Sequence, residues 1–222
     1  MFYRQQYHVL ALAGLIMMLF GASWIPGMLT GEFWGVTTTT WLITTVTVVI
    51  LHQVYLWFCW RSELQYQLLT DFLGTNAFPI YGSIAFSFLI VRPSMVLITA
   101  ISNQQSIPLS AWFRWIVSAL FTFLFAWTLY SLFKHFSLTR VLGADHFYRE
   151  LRNNGLVERG LFRYLPHPMY SIGMLGMWIP GLIFESQAAL VLALFQHLYI
   201  WVHHYTLEQP DMDQIYNEET VT

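Results

Sequence analysis

Six stretches of this chain are almost free of charge, and polar residues gather between them. A helix crossing a bilayer needs about 20 predominantly apolar residues. Residues 9–30 meet that length without a charge and form segment one, weakened near its end by Pro26-Gly27. Residues 33–60 form segment two, also uncharged. Its Thr37-Thr38-Thr39-Thr40 and Val46-Thr47-Val48-Val49-Ile50 runs favour strand by propensity, but an isolated strand leaves its backbone unsatisfied in lipid, so a helix is predicted. Segment three covers residues 77–101 and is interrupted by Arg92-Pro93, and segment four covers residues 115–133. Residues 169–184 and 188–202 form segments five and six, a hairpin turning at Glu185-Ser186-Gln187. The fold class expected is all-α: a polytopic membrane bundle of about six helices, with a C-terminal hairpin.

Charge gives this bundle an orientation. With the N-terminus inside, Arg4, Arg61, Lys134, Arg140, Arg149, Arg152, Arg159 and Arg163 all fall on the cytoplasmic side. The outer loops then hold Glu32 and Glu185, which is the positive-inside pattern. Both termini are expected in the cytoplasm, in a bacterial inner membrane or one of endoplasmic-reticulum type. The apolar run that follows Met1 shows no small-residue cleavage site and reads as a retained first helix. Arg92 and Arg114 lie toward the outer ends of segments three and four. Arg92 is expected to snorkel to the outer interface, the alternative being an interior position with His52.

Composition agrees with a membrane class. Hydrophobic residues make up 56% and charged residues 10%, with a mean hydropathy of +0.51, against about 25% charge in ordinary soluble domains. The net charge of −2 argues against nucleic acid as the main partner. Cys59 is the one cysteine, so there is neither a disulfide framework nor a cysteine metal cluster.

The sizeable polar piece is residues 134–164. Phe136, Val141, Leu142, Phe147, Tyr148 and Leu151 alternate there with Arg140, Asp145, Arg149, Glu150 and Arg152. That pattern predicts an amphipathic helix at the headgroups, ended by Asn153-Asn154-Gly155. It either contacts anionic lipid or walls a cytoplasmic pocket. The eight histidines are scattered, without the paired spacing of a metal site, and no metal is expected. His204 and Glu208, four apart at the end of segment six, share a helix face, as a solvated helix end or as part of a site. No Rossmann fingerprint, P-loop, nucleophile elbow or zincin motif occurs. A cofactor, if there is one, belongs among helix ends.

Gly160-Leu161-Phe162-Arg163-Tyr164-Leu165-Pro166-His167-Pro168-Met169-Tyr170, the hairpin after it, and the tail Glu208-Gln209-Pro210 to Ile215-Tyr216 resemble the integral-membrane methyltransferases. Phosphatidylethanolamine N-methyltransferases and isoprenylcysteine carboxyl methyltransferases belong to that group. Its signature reads approximately Gly-x-aromatic-Arg-x-x-Arg-His-Pro-x-Tyr, then about thirty residues of hairpin, then Glu-Glu. Gly160, Phe162, Arg163, His167, Pro168 and Tyr170 match in register, and Glu208 matches the first acid. Pro166 and Gln209 depart from it, standing where most members have Arg and the second Glu. The likeness covers residues 134–217, and the tail looks most like the phospholipid branch.

The resemblance implies S-adenosylmethionine as cofactor and a lipophilic acceptor: a phospholipid amine, a thiol or a prenyl acid. It divides the single membrane domain into residues 1–133, four N-terminal segments, and 134–222, a cofactor-binding module. It places His167, Pro168, Tyr170, Gly173, Glu208, Gly143 and Arg163 at the cofactor, with His167 and His204 as bases for an amine acceptor. Gly173 and Gly176 also suit ordinary helix packing. Two other readings use the same residues: a non-catalytic membrane scaffold, favoured by Pro166 and Gln209, and an NADPH-dependent membrane reductase. A transporter fits less well, because ionisable groups gather at one mouth.

Overall fold

The computed structural model describes residues 1–152 and 159–217, and these are nearly all helical. Four helical stretches are long and apolar enough to cross a membrane: Gln5–Ala22, Thr38–Tyr66, Leu68–Ser102 and Ala111–His135. The protein is a membrane protein of the all-α class.

Helix α1 (Gln5–Ala22) leads into a small hairpin of β1 (Glu32–Phe33) and β2 (Val36–Thr37). Phe33 faces Val36 across a two-residue turn in which Trp34 and Gly35 both have positive φ, 55° and 72°. That is the turn whose twist matches paired strands, so segment two begins later than its apolar run. Helix α2 (Thr38–Tyr66) starts with the Thr37 hydroxyl capping the Thr40 amide. Its threonines are strand-formers by propensity, yet Thr44, Thr45 and Thr47 each donate to the carbonyl four residues back. Such back-bonding satisfies hydroxyls that lipid could not.

Gln67, at φ 52°, separates α2 from α3 (Leu68–Leu73). The buried Glu63 carboxylate accepts the Leu69 and Thr70 amides at 3.0 Å each and the Thr70 hydroxyl. Helix α4 (Ala77–Ser102) then runs without a break through Pro93. The expected interruption at Arg92-Pro93 is absent. Arg92 does not snorkel either, because it is 5% exposed. Its Nε donates to Gln196 Oε1 at 3.0 Å, and Nη1 lies 3.1 Å from His52 Nδ1. An interior site supplies two polar partners that an outward rotation would forgo.

Helix α5 (Ala111–His135) is capped by Ser110 and precedes the polar piece. The single amphipathic helix expected there is instead short turns: α6 (Leu138–Val141), a 3₁₀ turn at Ala144–His146, and α7 (Arg149–Arg152). Gly143, at φ 81°, breaks the run, and Asp145 and His146 are buried. The expected stop at Asn153-Asn154-Gly155 lies outside the described residues. A Cβ on Gly143 would sit 2.6 Å from the Trp60 indole. Gly143→Ala therefore meets both a left-handed backbone and a filled space. A loss of roughly 2 kcal/mol or more is expected, readable as a lowered midpoint of thermal unfolding in detergent.

Segment five is the second departure from simple helices. It comprises α8 (Pro168–Ser171), a 3₁₀ stretch Gly173–Trp178, and α9 (Ile179–Ile183). Cβ atoms added at Gly173 and Gly176 would meet Thr128 at 3.3 Å and Phe125 at 2.8 Å, so the arm lies close against α5. Helix α10 (Gln187–His203) starts at the Ser186 cap, a π-helical turn spans His204–Glu208, and α11 (Gln209–Asn217) follows.

The core has two main parts. Leu19, Val46, Val49, Leu192, Phe195 and Tyr199 join α1, α2 and α10. Leu56, Cys59, Trp60, Tyr81, Ala85 and Leu207 join α2, α4 and the π turn. Asn103 locks the end remote from the π turn: its amide donates to the Gly27 and Thr30 carbonyls, and its oxygen accepts from Ser106, Ser186 and Ala188. Arg114 pairs with Glu185 near the same end.

Candidate functional site

Two local devices build the site. Pro168 occupies the first turn of α8, where its missing N–H costs nothing, and His167 stands just before it at φ −133°. Tyr170 follows one turn later. Opposite them, the chain leaves α10 through a π-helical turn, a form that widens a helix and recurs at functional sites.

The two devices meet at Glu208. The Tyr170 hydroxyl donates to Glu208 Oε2 at 2.6 Å, and His204 Nδ1 lies 2.8 Å from the same oxygen. The His167 and His204 rings are 4.0 Å apart between centroids. Trp201 stands nearly perpendicular to His167, Tyr170 and His204, at 5.9–6.0 Å between ring centroids. Burial pushes the Glu208 carboxyl up, but the His204 hydrogen bond, the nearby His203 and the Tyr170 hydroxyl outweigh it and leave it below its ordinary value. Burial and then His204 push His167 down, against an upward pull from Glu208. The arrangement sets a carboxylate beside two imidazoles among aromatic side chains.

Of the residues expected at the site, His167, Pro168, Tyr170, His204 and Glu208 come together. Three others do not join them. Gly143 packs on Trp60, Gly173 packs toward Thr128, and Arg163 is exposed on the 3₁₀ turn Gly160–Arg163. Other signature residues dock this turn onto α5. A Cβ on Gly160 would lie 2.6 Å from His135, and Phe162 stacks on Phe136 at 5.1 Å. Gln209 and Pro166, the two departures from the signature, are both exposed.

Sequence reasoning missed the support behind the site. Trp60 stacks on His146 at 4.4 Å and lies 5.4 Å from the His203 ring. Asp211 is fully buried, 2.8 Å from Arg61 Nε and 3.3 Å from His146 Nε2. This network pins α11 and the Ala144–His146 turn to α2. Trp201 was legible, three residues before His204 and hence on its face. The Arg61–Asp211 pair was not, since no local pattern joins positions so far apart.

A family model described as phospholipid methyltransferase matches residues 113–219, from the start of α5 to beyond α11. Curated relatives are phosphatidylethanolamine N-methyltransferases. Those of Scheffersomyces stipitis and Clavispora lusitaniae are 39% identical over 72 residues, and that of Candida dubliniensis is 38% identical over 72 residues. Each match covers 32% of this chain and 8% of the relative's length. No solved structure matches the chain. The segment that carries Tyr170, His204 and Glu208 thus lies within the matched region, and residues 113–219 of this membrane protein are similar to the phospholipid methyltransferases.

Proposed function

We propose that the protein is an integral-membrane methyltransferase that moves a methyl group from S-adenosylmethionine to the amine of a phospholipid. The observation that carries this reading is Glu208, held between Tyr170 and His204 beside His167 within the family-matched segment. Its residues fit the cofactor: a partly exposed carboxylate suits an amino group or ribose hydroxyl, and the faces of Tyr170, Trp201 and Tyr205 attract a sulfonium cation. The cofactor, when bound, supplies an electrophilic methyl group.

The protein's own part is alignment and proton handling. The amine attacks in line, and bringing the two reactants together removes much of the barrier. A protonated amine cannot attack, so a base must first take its proton. His204 places Nδ1 at the carboxylate; with the proton there, Nε2 carries the free lone pair. His167, held neutral by burial, is the second acceptor. In this reading both termini face the cytoplasm, the cofactor enters from that side, and the lipid arrives laterally. Residues 134–222 form the cofactor-binding module on a framework of residues 1–133.

Titration of S-adenosylmethionine into the detergent-solubilised protein tests this, with NADPH as comparator. Saturable binding of the methyl donor is expected, weakened on the order of tenfold or more by His167→Ala at an unchanged melting temperature. A folded sample that binds no methyl donor would overturn the reading, and NADPH binding in its place would make the protein a reductase.

A further inference from the structure

Beside the candidate site, a groove of about 610 Å³ opens between the start of α1 and the π turn. It is lined by Tyr3, Arg4, Gln6, Tyr7, Tyr205 and Thr206. Arg4 donates from Nη1 to the Tyr205 carbonyl at 3.1 Å, and its guanidinium sits 5.3 Å from the Tyr3 ring centroid. Among the described residues no carboxylate pairs with it. The floor is fixed, because His8 holds the Thr206 hydroxyl at 3.1 Å and Gln5 donates to the Thr206 carbonyl at 3.2 Å. The groove therefore offers a preformed cation and several phenol groups, and among the described residues that line it there is no anion.

Its position relates it to the site. Tyr205 stacks on Trp201 at 5.9 Å and meets the His204 ring edge-on at 5.0 Å. Trp201 in turn borders His167 and Tyr170. One aromatic wall thus runs from the groove to the imidazoles. Along α1 from the groove, Val9 and Leu10 are 65% and 68% exposed, an apolar flank suited to acyl chains and not to a water-soluble ligand.

We propose that this groove binds the phosphodiester of a membrane phospholipid. Arg4 takes the phosphate oxygens by charge-assisted hydrogen bonds, and the tyrosines lie at headgroup level. The headgroup then extends over Tyr205 and Trp201, which brings its amine toward His204; this last step rests on the methyl-transfer reading, whereas the phosphate contact does not.

The test measures binding, not turnover. Equilibrium binding of phosphatidylethanolamine and of a double-chain primary amine lacking phosphate is compared in one detergent, with wild type, Arg4→Gln and Arg4→Ala. Arg4→Gln keeps a donor for the Tyr205 carbonyl and removes the charge alone. Wild type is expected to prefer the phospholipid about tenfold, and both variants to lose that preference while binding S-adenosylmethionine as before. An undiminished preference in Arg4→Gln, or no preference in wild type, overturns the groove. Retained preference in wild type without methyl transfer to any amine would instead remove the catalytic reading and leave the groove standing.

Discussion

Glu208→Gln is expected to lower methyl transfer on the order of a hundredfold or more while the melting temperature stays within a few degrees of wild type. The carboxylate accepts from Tyr170 at 2.6 Å and lies 2.8 Å from His204. Hydrogen bonds to a charged group are worth about 1.5–3 kcal/mol each, and about 1.4 kcal/mol is tenfold in rate. An amide is nearly the same size, so packing survives. It carries no charge, so an amide oxygen at the Oε2 position accepts from Tyr170 and His204 only through weaker, neutral bonds. The hold on the His204 tautomer weakens, and the proposed cofactor contact loses its charge. Tyr170→Phe removes one of the two bonds and leaves the charge, so a loss nearer tenfold is expected. Initial rates of radiolabelled methyl incorporation into phosphatidylethanolamine measure both. A Glu208→Gln enzyme within threefold of wild type would show that this carboxylate takes no part.

The second large effect is on stability. Asp211→Ala leaves Arg61, 2% exposed, as a buried cation whose carboxylate is gone, and it also removes the anion at His146. Breaking one side of a buried ion pair costs about 3–5 kcal/mol, much of a small domain's margin. Equilibrium unfolding in mixed micelles should register that loss. Combining Asp211→Leu with Arg61→Met removes both charges at similar volume and should recover most of it. If Asp211→Ala melted with wild type, the pair would have no structural weight. Loss of this anchor also frees the helix that follows Glu208, so activity should fall with stability in the single variant and return with it in the double one.

The two experiments separate what local pattern reveals from what it hides. Four membrane helices follow from uncharged runs alone, because lipid leaves a long apolar segment no other solution. Segment five was legible as apolar but not as 3₁₀. Its shape is set by how closely Gly173 and Gly176 approach α5, which is a tertiary fact. For Arg92 the outer interface was the first expectation, and the alternative, an interior place with His52, is the one the structure holds; its second partner Gln196, on a third helix, was not legible for a related reason. Residues 134–152 carry an amphipathic rhythm, yet Gly143 and the burial of Asp145 and His146 fold them inward. At the candidate site the i, i+4 spacing of His204 and Glu208 was visible, and the likeness to a known family added Tyr170 and His167. The π turn was not visible, since nothing in His204–Glu208 differs by composition from an ordinary helical turn.

Arg92 also bears on how the bundle is made. An arginine at mid-helix costs about 2.5–3.5 kcal/mol on insertion scales, and α4 leaves the ribosome long before α10. His52 is already present when α4 enters the bilayer, but Gln196 has not yet been synthesised. The fourth helix must therefore wait beside the second with one guanidinium bond missing. Its seating becomes complete only when the last long helix arrives. A chain truncated before residue 196 is thus expected to leave that guanidinium bond unmade and α4 less firmly seated, readable as faster loss of the truncated chain than of the full one.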